Sequence, residues 1–122
     1  MLPLSLAARV TSAAALLAVV GVVAAPALGS RTHATATAVT VTATEFHFKF
    51  SKLSVPHGSV TFTVVNKGHV AHDFKIGGKK TALIKPGKSA KLTVTLKAGK
   101  IAYLCTVAGH AAAGMKGKLT VR

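Results

Sequence analysis

The chain contains no tryptophan, one tyrosine, one cysteine and two acidic residues among its 122 positions. Each scarcity removes a class of protein. The lone Cys105 cannot close an internal disulfide, and it cannot build a thiolate-rich zinc site. Two carboxylates, Glu45 and Asp73, are too few to cage calcium or magnesium. Aromatic residues make up 5% of the chain and arginines are rare among scattered lysines, so the stacking series that nucleic-acid binding uses is absent. No stretch after residue 30 repeats apolar residues with a helical period, and no internal repeat is present.

What is abundant is positive charge. Sixteen Lys and Arg against two acids give a net charge of +14. Such a field favours acidic partners or anionic surfaces and speeds their encounter without dictating a fold. Solvated lysines that keep a small domain soluble would produce the same composition.

Residues 1–30 read as a targeting segment. Arg9 precedes an apolar run over residues 10–28, and small residues at Ala25-Pro26-Ala27 or Ala27-Leu28-Gly29 could serve as a signal-peptidase site. The run approaches membrane-spanning length, so an uncleaved membrane tether is the alternative. The segment has neither a twin arginine nor a lipidation cysteine. Export to the periplasm, the extracellular space or the cell surface is the expectation, with metal loaded outside. Residues 31–37, RTHATAT, read as a linker, and residues 38–122 as one domain with a modest core.

Within that domain the pattern is β. Val39, Val41 and Ala43 alternate with threonines, Phe46, Phe48 and Phe50 with His47 and Lys49, and Val60, Phe62 and Val64 form another inward face. A short strand is expected over residues 72–76. Leu92, Val94 and Leu96 form a further face, as do Ile101, Tyr103 and Cys105, and Leu119 and Val121 close the chain. Pro56-His57-Gly58 and Lys85-Pro86-Gly87-Lys88 mark turns. Seven or eight short strands separated by turn signals indicate an all-β antiparallel sandwich or barrel.

The chemistry concentrates in YLCTVAGHAAAGM, Tyr103 to Met115. Cys105 is followed at five-residue steps by His110 and Met115, on a loop rich in Gly and Ala. A second imidazole is available at His72, in NKGHVAHDF. Singly, each residue has a plain structural explanation: a buried thiol, core methionine or satisfied histidine. Together, one thiolate, two imidazoles and a weak thioether form the blue-copper donor set. Zinc could occupy Cys and two His with a water, but the thioether favours copper. His33, His47, His57 and His69 receive no role.

On these residues the chain resembles the cupredoxins, the blue copper proteins that include plastocyanin, azurin and auracyanin. The likeness covers residues 38–122 and rests on Cys105-x4-His110-x4-Met115 with the upstream Asn66-x5-His72-Asp73-Phe74. It implies a Greek-key β-sandwich with one mononuclear copper at one end. It further implies His72, Cys105 and His110 as the trigonal ligands and Met115 as the axial one, with Asn66, Asp73 and Thr106 around them. In cupredoxins the residue after the first histidine is commonly Asn and the residue after the cysteine is Ser or Thr, and the two hydrogen-bond. Thr106 matches. Asp73 stands where Asn is usual, and its carboxylate is expected to lower the reduction potential. Plastocyanins also carry a tyrosine before the cysteine beside an acidic patch, a remote electron port. Leu104 occupies that position here, so the port is expected to be missing.

The expected function is single-electron transport between extracytoplasmic redox partners, with a copper chaperone or storage module as the alternative and no enzymatic activity. Ile101 to Met115 carries no charge. Ala108, Gly109, Ala111, Ala112 and Ala113 are therefore expected to frame His110 as a docking patch for a transient acidic partner, with the protein a monomer.

Overall fold

The computed structural model describes residues 35–122, together with Ala18 and Gly21. The chain divides into two compact units, Met1–Arg31 and Thr32–Arg122. The expected targeting segment, His33 and most of the expected linker lie outside the described residues. Among the described residues no helix is long and apolar enough to cross a membrane.

The second unit is all β. Among the described residues nine strands follow one another: β1 (Thr37–Thr44), β2 (His47–Phe50), β3 (Ser54–Val55), β4 (Gly58–Asn66), β5 (Lys75–Ile76), β6 (Lys79–Lys80), β7 (Ser89–Leu96), β8 (Gly99–Leu104) and β9 (Lys116–Val121). They form two sheets, ordered β2-β1-β4-β7 and β3-β9-β8-β5-β6. The chain passes between the sheets repeatedly, and β1 lies parallel to β4 while β4 and β7 run antiparallel. The long strands obey a period of two. Val39, Val41 and Ala43 of β1 and Val60, Phe62 and Val64 of β4 are buried, and threonines stand between them. The two inner faces meet in one core closed by Ile76, Val94, Leu96, Leu119 and Val121.

Phe74 is fully buried at the centre of an aromatic cluster, with ring centroids 5.2 Å from Phe48, 5.3 Å from Phe62 and 5.9 Å from Phe50. Tilted and edge-to-face arrangements at such separations are the favourable ones. The cluster lies directly behind His72 and Asp73 in the chain, so it gives the histidine segment a rigid backing.

Three details differ from the sequence reading. The count exceeds seven or eight because β3, β5 and β6 have two residues each, too few for alternation to show. The strand expected over residues 72–76 is confined to Lys75–Ile76. His72, Asp73 and Phe74 are buried in succession, which an alternating strand cannot achieve, and His72 instead forms an isolated bridge with Ile84. Phe46 does not share the inward face of Phe48 and Phe50. It occupies the β1–β2 turn with φ of 59° and is 47% exposed.

Phe74→Ala is expected to cost about 3–5 kcal/mol, because the aromatic cluster cannot collapse around the hole. Urea unfolding of the metal-free protein measures this; Leu53→Ala, at a side chain that is 86% exposed, should stay within about 0.5 kcal/mol of wild type.

Candidate metal centre

Two loops at one end of the sandwich supply the donors. The first leaves β4 at Asn66, which is fully buried. Its side-chain amide donates to the carbonyls of Val70 and Ile84, 2.8 Å each, and its Oδ1 accepts from Gly68 N at 2.8 Å. These bonds shape residues 67–71. The His72–Ile84 bridge, with N···O distances of 3.1 and 2.7 Å, then fixes the histidine backbone. The second loop joins β8 to β9. Cys105 N donates to Met115 O and Met115 N to His110 O, both at 3.0 Å, so the three expected ligands of this loop are laced to one another. Gly109 and Gly114 adopt φ of 79° and 118°, a region that side chains disfavour.

Asp73 ties the loops together. Its carboxylate is 5% exposed and accepts from Thr106 N at 2.5 Å and from Thr106 Oγ1. The expected pairing of these positions is therefore present, with a carboxylate in place of the amide.

The donors converge. His72 Nδ1 lies 3.1 Å from His110 Nδ1, which lies 3.6 Å from Cys105 Sγ. The ligand atoms of all three residues fall within 4.8 Å of one another. Each separation is less than twice an ordinary metal–ligand bond length of about 2.0–2.3 Å, so the donors could share one ion. One metal ion fits the triad. His72, Cys105 and Met115 are buried, and His110 is the partly exposed member. Around it Ala108, Gly109, Ala112 and Ala113 are exposed and Ala111 is half-buried.

Burial sets the electrostatics. It pushes the basicity of His72 down, as does the neighbouring His110, against the pull of Glu45 and Asp73. It pushes the Cys105 thiol up, and the backbone amides of Asp73 and Val107 offset part of that rise. The outer nitrogen of His72, Nε2, is buried without a hydrogen-bond partner among the described residues.

Two residues at the centre were not assigned a role from sequence. Glu45 Oε1 stands 3.8 Å from His72 Nε2, and the Phe46 ring meets the His110 ring edge-on at a centroid distance of 5.5 Å. Both belong to the turn between β1 and β2. The signal available for Glu45 was its rarity, as one of only two acids in the chain.

The family model for the cupredoxin-like domain matches residues 13–121. The chain is a member of the cupredoxin-like family. Among solved structures it is similar to auracyanin B, at 28% identity and a TM-score of 0.63, with 71% of this chain and 89% of that one covered. A 43-residue segment is 49% identical to the copper-resistant cuproprotein CopI of Pseudomonas aeruginosa, covering 34% of this chain and 24% of that protein. A match to CopI of Vibrio cholerae is 26% identical over 115 residues and covers 76% of this chain and 68% of that protein. The match thus spans about a quarter of the Pseudomonas relative's length. The cofactor implied by this cupredoxin-like fold and donor set is one copper ion.

Stability of the metal-free protein should depend on pH through these buried groups. As pH falls below the ordinary histidine value of 6.5, the unfolded chain protonates at position 72 before the folded chain does. As pH rises above the ordinary thiol value of 9.0, the unfolded chain loses the Cys105 proton first. Urea midpoints are therefore expected to be highest between about pH 6.5 and 9 and to fall on either side; a flat profile from about pH 5 to 10 would contradict the burial described here.

Proposed function

We propose that this protein carries single electrons through one copper ion, which His72, Cys105 and His110 would hold with Met115 as a weak fourth donor. The observation that carries the reading is the donor triad, a thiol and two imidazole nitrogens within 4.8 Å, with Cys105 and His110 on a loop that ends in a buried methionine. Copper, when bound, supplies a one-electron couple, and a mixed sulfur and nitrogen set suits both of its oxidation states.

The chain's own residues do the rest. His72 and Cys105 bring one donor each from separate loops, and the Asp73–Thr106 pairing keeps them from separating. The His110–Met115 hydrogen bond holds the loop's own two ligands in register. Burial of His72, Cys105 and Met115 excludes water, which limits rearrangement when the charge changes. His110 is the donor that reaches the surface. Its imidazole is the route for the electron, and Ala108, Gly109, Ala112 and Ala113 offer a small neutral platform for brief docking. The net charge of +14 steers an acidic redox partner towards it. No residue is assigned a catalytic role. Residues 1–30 direct export, by signal or tether, so that loading and exchange take place outside the cytoplasm.

The names of the CopI relatives favour a second reading, in which the same site binds copper for resistance without passing electrons. Buried donors on hydrogen-bonded loops favour the carrier, because a site that hands metal on needs access. The copper-loaded, oxidised full chain is expected to show an intense visible band and reversible one-electron cycling, both lost in Cys105→Ser. Copper surrendered quickly to a modest chelator, with no reversible couple, would favour the resistance reading.

Asp73→Asn is expected to raise the midpoint potential, since it removes a negative charge one residue from a ligand while keeping an acceptor for Thr106. An unchanged potential would show that Asp73 serves the loops and leaves the couple alone.

A further inference from the structure

Glu45 and Asp73 are the only acidic residues in the chain, and both lie against the ligand loops. Asp73 is accounted for by Thr106. Glu45 is not, and its surroundings are specific. The carboxylate lies against Gly68, where Oε1 accepts from the backbone N–H of His69 and, at 3.1 Å, from that of Val70. A side chain at position 68 would collide with this carboxylate, so the space is kept open by a glycine with no positive φ to require it. The same Oε1 is 3.8 Å from His72 Nε2, a buried nitrogen that has no other partner among the described residues.

The chemistry of imidazole makes that proximity consequential. A neutral ring carries one N–H and one lone pair. His72 turns Nδ1 towards Cys105 and His110, so it can serve as a ligand only in the tautomer with the proton on Nε2. In the metal-free state the 3.1 Å contact between the two Nδ1 atoms then has His110 donating to His72. Without an acceptor, the Nε2 proton would be buried and unsatisfied, and the ring would gain by moving it to the wrong side.

We propose that Glu45 is the positioning residue of the copper centre: its carboxylate accepts the Nε2 proton of His72, fixes the tautomer that presents Nδ1, and by its charge favours Cu(II) over Cu(I). The inference rests on the copper reading above. At 3.8 Å the pair is longer than a hydrogen bond, so the carboxylate must approach Nε2 to about 3.2 Å or less, in the metal-free protein as in the loaded one. The turn bearing Glu45 has the marks of a functional element. Phe46 is the sole non-glycine residue with positive φ among the described residues, and such strain persists where surrounding contacts over-determine it. One such contact is at hand: the Phe46 ring packs edge-on against His110. One two-residue turn thus addresses both imidazole ligands.

The test uses the full chain with Glu45→Gln, which keeps shape and acceptor but removes charge, and Glu45→Ala, which removes both. Midpoint potential is read on the copper-loaded proteins and the His72 tautomer by nitrogen-15 NMR on the metal-free ones. Both variants are expected to lose about tenfold in Cu(II) affinity relative to Cu(I), which raises a one-electron potential by about 59 mV. The Ala variant is also expected to lose the pure Nε2–H tautomer, and Gly68→Ala, which displaces the carboxylate, should follow it. Wild-type potential in both Glu45 variants, or an unchanged tautomer in Glu45→Ala, would overturn the assignment. Failure of the wild type to take up copper would sink the copper reading instead, and the metal-free NMR comparison would still decide the Glu45 contact.

Discussion

Two imidazoles and a thiol from two separate loops gain only modest hydrogen bonds from meeting without a metal, so the fold must hold them together. Everything else at this end of the sandwich serves that constraint. The donors come from loops on different parts of the chain, and hydrogen bonds inside each loop and between the two restrict their movement. Asn66 shapes the first loop, the Cys105–Met115 and Met115–His110 bonds close the second, and Asp73 joins them through Thr106. A preformed site of this kind leaves little for a metal ion to reorganise, and that is the property electron exchange depends on.

The β framework explains how so small a domain sustains such a cluster. A site of buried polar donors subtracts from stability, and the core must compensate. Here the aromatic group around Phe74 stands immediately behind His72, and Phe62 and the valines of β1 and β4 fill the space between the sheets. The charge distribution follows a related logic. Lysines cover the outer surface, while the two acids are drawn to the ligand loops, where negative charge can act on the bound ion. The segment Ile101 to Met115 stays neutral, so the exposed edge of His110 is surrounded by small uncharged residues.

Much of this was legible in the sequence. The spacing of Cys105, His110 and Met115 could be read because all three belong to one loop, where sequence distance is a fair guide to spatial distance. His72 was legible from its NKGHVAHDF setting, and the long strands from their alternation. What escaped notice was non-local or ran against a local pattern. Glu45 reaches His72 from a turn far upstream, and nothing in its neighbourhood announces the contact. Phe46 fits the alternation of Phe48 and Phe50, yet the backbone reverses at that residue, and its ring is turned onto His110. The succession His72-Asp73-Phe74 looked like a strand because all three are compatible with one; the ladder is lost because each is required inside.

The central claim is that three donors from two loops meet on one copper ion, and X-ray absorption of the copper-loaded protein tests it most directly. The account predicts a first shell with one close thiolate sulfur and two imidazole nitrogens. A shell of nitrogen and oxygen alone, with no close sulfur, would contradict it.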